Sequence, residues 1–572
     1  MCGIFSILSN TKIAKDSIDY LKFNKSFEKG YMRGPENSCL KLINDNLLFG
    51  FHRLAINGLD DISNQPIQIE QYTLICNGEI YNYKELYKLH GFTPKTNSDC
   101  EIIIHLCNKF GIHDAITKLD GVFAFVLFDE KLNNIYVGRD PFGVRPVYFG
   151  YDKNMIAFAS EIKVLNDCFS KDSKIEHFKP GTYSCYTYEK DKWISVFKNE
   201  LYYDVNSINY SSIWSNKEEM YSSIREKLIS SVKKRVLTTD RPIACLLSGG
   251  LDSSLICALV QREISYLYPG KKVETYSIGL EGSEDLYYAQ KAADYIGTNH
   301  TSIVLDELTF LNAIQNVIKA VESFDTTTIR ASVGNYLVSK YISEHSNAKV
   351  IFNGDGADEL MGGYMYFHAC PSSKEFDNEC KRLLENIHNY DVLRSDKSIS
   401  SWGLEARTPL LDKEWVRFYL QLPIEERNHN LNNNIEKYLV RKSFSYSLSF
   451  QNGDVKNILP DEILWRKKEA FSDGVSKQTR SWYQIIQESM DLIDDLETIR
   501  IPEHVETNGQ PITLEQQYYY MLFHTYYPGR ENILKYYWMP KYVDSYDSSA
   551  RTLDVYNKKK QDISLENNIE LY

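Results

Sequence analysis

The residue after the initiator methionine, Cys2, is the first candidate for covalent chemistry in this chain. Removal of Met1 would leave Cys2 as the N-terminal residue, with a thiol and a free α-amine on the same residue. An α-amine with a pKa near ~7.7–8 can act as the base for its own side chain, as in N-terminal nucleophiles. Cys2 taken alone is equally compatible with a buried strand residue, so the rest of the chain decides its role.

A second candidate is the loop SGGLDSS at 248–254, which follows the apolar segment Ile243–Leu247. Its glycines allow successive N–H groups to turn inward, and the N-terminus of the next helix completes an anion site. Asp252 would repel a phosphate unless a cation lay between them, which implies Mg²⁺. The loop lacks the GxxxxGK[ST] pattern and therefore favours pyrophosphate, the group released when ATP adenylates a substrate. The candidate ligands are Ser248, Gly249, Gly250, Asp252 and Ser253.

A third candidate is the acidic loop that begins at Gly354, after the apolar segment Val350–Asn353. Parallel sheets place ligands at the carboxyl ends of their strands, so this loop and the SGGLDSS loop are expected to meet at one site. Asp252 and Asp358 then become plausible partners of a Mg²⁺ ion that carries pyrophosphate.

The chain has 572 residues, a length that predicts two or three domains. The pattern of predicted strands and helices changes near residue 200. The first part has many short strands and few helices, which favours stacked antiparallel sheets with helices on their outer faces. A polar segment, Asp204–Asn216, is typical of a linker. From Lys217 strands and helices alternate, the pattern of a doubly wound parallel sheet, and beyond Phe367 the chain reads as mainly helical. The strands predicted in the second part are Ile243–Leu247, Val273–Leu280, Thr301–Leu305 and Val350–Asn353.

Charge and cysteine usage exclude several classes of protein. The net charge is -12 with no basic tract, which excludes nucleic acid as an expected partner. No run of about 18 apolar residues is present, so no membrane span is expected, and a cleaved leader would remove Cys2. The 11 cysteines form neither a CxxC pair nor a cluster at zinc spacing, which predicts free thiols and a cytoplasmic location.

Short segments along the chain complete the evidence: MCGI at 1–4, RGP at 33–35, HRLAI at 52–56, NGEIYN at 77–82, SDCE at 98–101, RDPFG at 139–143, EARTPLLDK at 405–413 and FSDGV at 471–475. On these segments the chain, from Cys2 to about Leu553, closely resembles the glutamine-dependent asparagine synthetases. The resemblance implies a four-layer αββα glutaminase domain of the N-terminal-nucleophile type at 2–200 and a linker at 201–216. It also implies an adenylating domain with a doubly wound parallel sheet and a helical extension at 217–555, then a tail at 556–572.

The resemblance implies a complete set of roles for glutamine hydrolysis. In the family a cysteine attacks the side-chain amide of glutamine, and the products are a thioester and ammonia. An oxyanion hole stabilises the intermediate, where one lost donor typically costs roughly 3 kcal/mol. A guanidinium suits the α-carboxylate of the substrate. By resemblance the roles fall on Cys2 as nucleophile, Asn77 and Gly78 as oxyanion hole, Arg53 at the carboxylate, and Glu79 and Asp99 at the α-ammonium end.

For the second domain the resemblance implies adenylation of aspartate by ATP, followed by attack of ammonia on the β-aspartyl-AMP. Ammonia is expected to pass between the domains through an internal tunnel. Asp355 would take the proton from the attacking amine, although the family commonly has the longer Glu at this position. By resemblance Leu246, Ile278, Asn353 and Gly354 border the ATP, and Thr327, Arg330 and Lys468 contact the acyl-adenylate or its phosphates.

Two other interpretations remain open from the sequence. An amidotransferase or amide ligase could act on another carboxylate, as β-lactam synthetase-like proteins do with the same loop, although these typically lack the N-terminal cysteine. A non-catalytic scaffold that kept the fold would have lost at least one chemical residue, yet Cys2, Asp252 and Lys468 are all present. The resemblance also makes a homodimer the expected assembly.

Overall fold

The fold is described from a computed structural model of the chain. The structure describes residues 1–211, 214, 216–432, 435–449, 455–507 and 509–553. The predicted tail at 556–572 lies outside the described residues, as do positions 212, 213 and 215 of the predicted linker. Within these ranges, no helix combines the length and the apolar character that crossing a lipid bilayer requires.

The first part of the chain contains two antiparallel sheets of 6 strands each. The strands are β1 (Gly3–Ser9), β2 (Asn37–Asn44), β3 (Leu47–Arg53), β4 (Ile67–Ile69), β5 (Tyr72–Ile80), β6 (Gly121–Asp129), β7 (Asn134–Arg139), β8 (Tyr148–Tyr151), β9 (Met155–Ala159), β10 (Ile175–His177), β11 (Thr182–Glu189) and β12 (Lys192–Leu201). One sheet has the order β10-β8-β9-β1-β3-β2 and the other has the order β12-β11-β7-β6-β5-β4.

The alternation of side chains along β6 shows why the sheets form layers. Phe123 and Phe125 belong to the core beneath the helices on one face, whereas Ala124 and Val126 pack against the other sheet. Successive residues of a strand point to opposite faces, so a strand buried on both sides reads as a continuous apolar run. The helices of this part are α1 (Ile18–Glu28), α2 (Tyr83–His90), α3 (Ile102–Lys118) and α4 (Ile162–Asn166). The predicted four-layer αββα arrangement is confirmed.

The second part is built on a parallel sheet of 5 strands. The strands are β13 (Ile243–Leu246), β14 (Glu274–Leu280), β15 (Asn299–Leu305), β16 (Val350–Phe352) and β17 (Glu405–Arg407). Their order in the sheet is β15-β14-β13-β16-β17. Because β13 lies between β14 and β16, the strand order reverses there, and such a switch point opens a crevice at the carboxyl ends of the strands. The doubly wound parallel sheet predicted from the alternating elements is confirmed.

Helices cover the sheet and extend beyond it. This part also contains a short antiparallel pair of strands, β18 (Leu448–Ser449) and β19 (Val455–Lys456). The helices are α5 (Lys217–Leu237), α6 (Leu251–Leu267), α7 (Glu284–Ile296), α8 (Glu307–Val321), α9 (Thr326–His345), α10 (Ala357–Met361), α11 (Ser373–Asn386), α12 (Asp391–Ser400), α13 (Lys413–Leu420), α14 (Ile424–Arg427), α15 (Tyr438–Phe444), α16 (Asp461–Leu464), α17 (Phe471–Gly474), α18 (Trp482–Met490) and α19 (Leu514–Tyr526).

The edge strand β17 was not predicted, since three residues with charged ends carry no strand periodicity. It pairs with β16 in register Val350↔Glu405 and Phe352↔Arg407, and all three of its residues are buried. The strand thereby directs charged side chains into the boundary with the first domain. This placement depends on long-range packing and not on local preference.

Candidate functional site

Cys2 lies immediately before β1, in a partly buried position between the two domains. Its Sγ lies 3.5 Å from the carbonyl oxygen of Leu54, and its own carbonyl accepts a hydrogen bond of 2.8 Å from Nε of Arg33. The amine of Met1 donates to the carbonyl of Leu404 in the second domain. Burial raises the pKa of the Cys2 thiol, so the thiol needs a nearby base before it can act as a nucleophile.

Asn77 and Gly78 lie near the end of β5. Asn77 is 1% exposed, and among the described residues neither its amide nitrogen nor its amide oxygen has a hydrogen-bond partner. Buried polar groups are normally paired, so an unpaired amide in a core is a candidate for binding a ligand. A Cβ at Gly78 would lie 2.5 Å from the carbonyl of Val122, which explains why this position is glycine. The arrangement can supply donors to a developing oxyanion.

Two buried carboxylates lie nearby: Glu79 belongs to the same strand, and Asp99 begins a short 3-10 helix, Asp99–Glu101. Glu79 Oε2 accepts a hydrogen bond of 2.5 Å from Nδ2 of Asn57, which lies 3.4 Å from Oδ1 of Asp99. Asp99 also accepts from the N–H of Ile80. Burial raises the pKa of Asp99 to about 6, and burial with the charge of Asp99 raises the pKa of Glu79 well above its usual range. A bound ammonium group would offset burial and repulsion and favour the anionic forms, so the two carboxyls are suited to hold it.

Arg53 ends β3 and is buried, and its guanidinium lies 3.5 Å from the carbonyl oxygen of Asn57, whose side chain contacts both acids. Its guanidinium donates to the carbonyl of Asp60 at 2.9 Å and to Oδ1 of Asn64 at 2.7 Å, and it also contacts the carbonyl of Gly58. Arg53 therefore orders the loop at 57–64, and its role at the α-carboxylate stays a prediction.

The second candidate site is a cavity at the carboxyl ends of β13, β14 and β16. Both predicted loops line it, so the expected meeting of the two loops is observed. A Cβ at Gly354 would lie 2.8 Å from Cβ of Asp252, which shows how closely the loops approach. The predicted residues that line the cavity are Leu246, Ser248, Gly250, Asp252, Ser253, Ile278, Thr327, Asn353, Gly354, Asp355, Asp358 and Lys468.

Gly249 does not line the cavity but makes the turn possible. Its φ is +72°, and a Cβ there would lie 2.4 Å from the backbone N of Ala289 on α7. Only glycine combines this backbone conformation with such a close approach. The hydroxyl groups of Ser248 and Ser253 lie 3.0 Å apart, which closes the loop on itself.

Two lysines surround the predicted metal ligands. Nζ of Lys437 lies 2.5 Å from Oδ2 of Asp252 and 2.5 Å from Oδ1 of Asp358, and Nζ of Lys468 lies 2.8 Å from Oδ2 of Asp358. Burial opposes ionisation of Asp358, but the two ammonium groups outweigh it and lower the pKa of this carboxyl. The site thus places the oxygens of Asp252 and Asp358 beside two ammonium groups, a donor set suited to a phosphate-bound cation.

Arg330 is placed differently from the expectation that it contacts a phosphate. It lies outside the residues that line the cavity, and its guanidinium is 2.9 Å from Oε1 of Glu515 and 2.6 Å from Oδ1 of Asp547. These carboxylates come from α19 and from the C-terminal segment, so the arginine joins three distant parts of the chain. Its neighbour Thr327 does line the cavity, and among the described residues its Oγ1 has no hydrogen-bond partner.

Asp355 follows β16 and turns toward α12. Its carboxylate accepts a hydrogen bond of 2.6 Å from Nδ2 of Asn353 and lies 3.2 Å from Nη2 of Arg394. Asp391 contacts the same guanidinium. Asp355 therefore lies in the cavity with a fixed orientation, within a cluster of charges.

Sequence reasoning missed several charged residues in this cavity. A role was predicted for Lys468 but not for Arg466 or Lys467, and the matching segments beyond residue 367, at 405–413 and 471–475, contain none of the missed residues. The missed polar lining residues include Asp285, Tyr364, Asp391, Arg394, Lys437, Arg441 and Arg466.

Comparison with known proteins gives the family. The family model described as a glutamine amidotransferase domain matches residues 1–220, and the model described as asparagine synthase matches residues 223–379 and 369–500. The chain is 38% identical to the asparagine synthetase [glutamine-hydrolyzing] of Homo sapiens, over 97% of this chain and 99% of the relative. It is 39% identical to that of Gallus gallus, over 98% of this chain and 100% of the relative. The chain therefore belongs to the glutamine-hydrolysing asparagine synthetase family.

Proposed function

We propose that the protein converts ATP, L-aspartate, L-glutamine and water into L-asparagine, L-glutamate, AMP and pyrophosphate. The observation that carries this proposal is the pairing of two sites in one chain: a buried amide at Asn77, unpaired among the described residues, in the domain that carries Cys2, and a cavity where both predicted loops meet. Membership of the family supports the same reaction.

Glutamine hydrolysis begins at Cys2. The freed α-amine takes the thiol proton, and the sulfur attacks the side-chain amide of glutamine. Negative charge on the carbonyl oxygen is stabilised by the side-chain amide of Asn77 and the N–H of Gly78. Ammonia leaves with that proton, and water then hydrolyses the thioester to glutamate. Glu79 and Asp99 hold the α-ammonium group and Arg53 the α-carboxylate of glutamine.

Adenylation takes place in the second cavity, where the β-carboxylate of aspartate attacks the α-phosphorus of ATP and pyrophosphate leaves. The loop at 248–254 holds pyrophosphate, while Lys468 and Thr327 contact the phosphates. Leu246 and Ile278 border the ATP. Mg²⁺ fits the donor set, because Asp252 and Asp358 offer carboxylate oxygens from two converging loops. When bound, it would neutralise charge on the phosphate oxygens.

Ammonia released in the first domain then attacks the carbonyl carbon of β-aspartyl-AMP, and AMP leaves. Asp355 is the base that removes a proton from the attacking nitrogen, within reach of Asn353 and Arg394. Transfer inside the protein avoids protonation of ammonia in bulk water. The substrates are small molecules, and we include neither nucleic acid nor membrane among the partners.

We also propose a cytoplasmic location and a homodimeric assembly. All 11 cysteines are free thiols, which suits a reducing compartment. The dimer follows the expectation from the family, and size-exclusion chromatography with light scattering would test it.

The experiment that tests the function uses the full chain with aspartate, Mg-ATP and glutamine labelled with ¹⁵N in the amide. Mass spectrometry of the products should show labelled asparagine together with AMP and pyrophosphate. Glutamate and AMP without asparagine would leave both domains active but point to another carboxylate acceptor or to failed transfer of ammonia. A Cys2→Ala variant is the matched control, because it should lose the glutamine-dependent reaction but retain synthesis from ammonium chloride.

A further inference from the structure

Helix α12 is a buried helix that nevertheless carries charges. Arg394, Asp396 and Lys397 lie on it and are 9%, 1% and 0% exposed. Burying a charge is costly unless it is paired and hydrogen-bonded. The partners of these side chains therefore indicate what the helix holds in place.

One side of α12 faces the adenylation cavity. Arg394 lies 3.2 Å from Asp355, and Oγ of Ser395 accepts a hydrogen bond of 2.7 Å from Nδ2 of Asn353. Asn353 and Asp355 both lie in the loop after β16, so the helix holds the loop that carries the predicted base.

The other side of α12 faces the first domain. Oδ1 of Asp396 lies 2.8 Å from Nη1 of Arg33, and the same nitrogen donates to Oγ of Ser400 at 3.0 Å. Arg33 then donates from Nε to the carbonyl of Cys2 at 2.8 Å. The next acid near Arg33, Glu161, is farther away at 3.8 Å. Asp396 is thus the closest carboxylate partner of the guanidinium that holds the backbone of the nucleophile.

We propose that Asp396, a residue of the second domain, is a positioning residue for the nucleophile Cys2 and acts through Arg33. This inference rests on the proposed hydrolysis of glutamine at Cys2. Both side chains of the ion pair are 1% exposed, so little water competes with the contact. The charge of Asp396 and the hydrogen bond to Ser400 hold one end of the guanidinium, so its Nε keeps a defined direction, and that direction sets the Cys2 carbonyl and the thiol beyond it.

The proposal has a specific kinetic consequence. Misplacement of a reacting group by about 1 Å can cost about 100-fold in rate. Asp396→Asn keeps the shape but removes the charge that orients Arg33, so kcat for glutamine hydrolysis should fall by about 10-fold to 100-fold. The KM for glutamine should change little, because Arg145, the second basic partner of Asp396, keeps Glu405, and Arg53, Glu79 and Asp99 are not altered. Asp396→Glu keeps the charge and should retain more activity than the asparagine variant.

The experiment measures kcat and KM of the full chain for glutamine hydrolysis, and ammonia-dependent asparagine synthesis in the same samples. A diazoketone analogue of glutamine, which alkylates the active cysteine, gives an independent rate for Cys2 by intact mass. The matched control is Lys234→Met, which removes an ion pair across the domain boundary, to Asp120, and one within the second domain, to Asp412. Thermal unfolding checks that all three variants, Asp396→Asn, Asp396→Glu and Lys234→Met, are folded.

A fall in kcat and in the alkylation rate of Asp396→Asn, with KM and ammonia-dependent synthesis kept and with partial recovery in Asp396→Glu, would support the proposal. An unchanged kcat in Asp396→Asn would overturn it. A parallel loss of both activities, or an equal loss in Lys234→Met, would also overturn it, since the residue would then only stabilise the domain boundary. Absence of glutamine hydrolysis in the wild-type protein would instead refute the proposed function itself.

Discussion

Nη2 of Arg407 lies 3.3 Å from Oε2 of Glu79, so a guanidinium of the second domain reaches a carboxylate of the glutamine site in the first. Glu405, two residues before Arg407, accepts from Nε of the same guanidinium at 2.9 Å. The charge of the glutamine site is therefore set in part by β17. Residues of the two domains form one buried electrostatic system, and several measurable consequences follow from their contacts.

Replacement of Arg407 by methionine should raise the KM for glutamine. Loss of the positive charge favours the neutral form of Glu79, which then holds the α-ammonium less well. A hydrogen bond to a charged group contributes about 1.5–3 kcal/mol, so the KM should rise by about 10-fold to 100-fold. Steady-state kinetics with glutamine measures this, and synthesis from ammonia serves as the control for folding. A folded variant with the wild-type KM would contradict the prediction.

Glutamine binding should weaken at acidic pH. The pKa of Asp99 is about 6, raised by burial, and that of Glu79 is also raised. The anions that pair with the ammonium group are present above these pKa values and are lost as pH falls through them. The KM for glutamine should therefore rise as pH is lowered from 8 to below about 6.

The pH measurement needs a control for the catalytic cysteine, whose own titration affects kcat. An Asp99→Asn variant separates the two effects, because its KM should be higher at neutral pH and should rise less on acidification. A variant whose KM keeps the full pH dependence of the wild type would exclude Asp99 as a source of it.

Replacement of Asp355 by alanine should separate the two half-reactions of the second domain. Loss of a general base typically lowers the rate by about 100-fold to 10,000-fold, so ammonia-dependent synthesis should fall within that range. Aspartate-dependent exchange of pyrophosphate into ATP should remain, because the phosphate-binding residues are intact. Asp355→Glu is the matched variant and should keep synthesis. Equal loss of exchange and synthesis in Asp355→Ala would show that Asp355 acts in adenylation.

Replacement of Arg330 by methionine should destabilise the fold. The change leaves Glu515 and Asp547 buried without their counter-charge, and breaking a buried ion pair typically costs about 3–5 kcal/mol. Chemical denaturation followed by fluorescence and far-UV circular dichroism measures this loss. A variant of unchanged stability but with a raised KM for ATP would place the guanidinium at the phosphates instead.

The motifs of the two sites were predictable because each depends on local chemistry. The loop at 248–254 needs glycine at 249 for a positive φ and lies between a strand and a helix, so its sequence predicts its shape. The alternation of strand and helix likewise predicts a parallel sheet, whose carboxyl ends then bring the second loop beside the first. The resemblance supplied the roles of Arg53, Asp99 and Thr327, which no local pattern indicates.

Other features were not predictable from local patterns, since they join residues that are far apart in the chain. Lys437 contacts Asp252, which lies 185 positions earlier in the chain. Lys437 is the N-cap residue of α15 and belongs to no motif. Arg330 was expected at a phosphate, but the structure pairs it with carboxylates 185 and 217 positions away. A buried charged residue forms an ion pair with the opposite charge that the packed chain places beside it.

The sequence by itself determined which groups are available for chemistry, the order of the elements and the two types of sheet, because these follow from residue type, backbone freedom and the period of apolar residues. The tertiary structure alone decided which charges are paired. It alone placed Asp396 against Arg33 and Arg407 against Glu79, because burial makes an unpaired charge costly and only the packed chain brings such partners within reach.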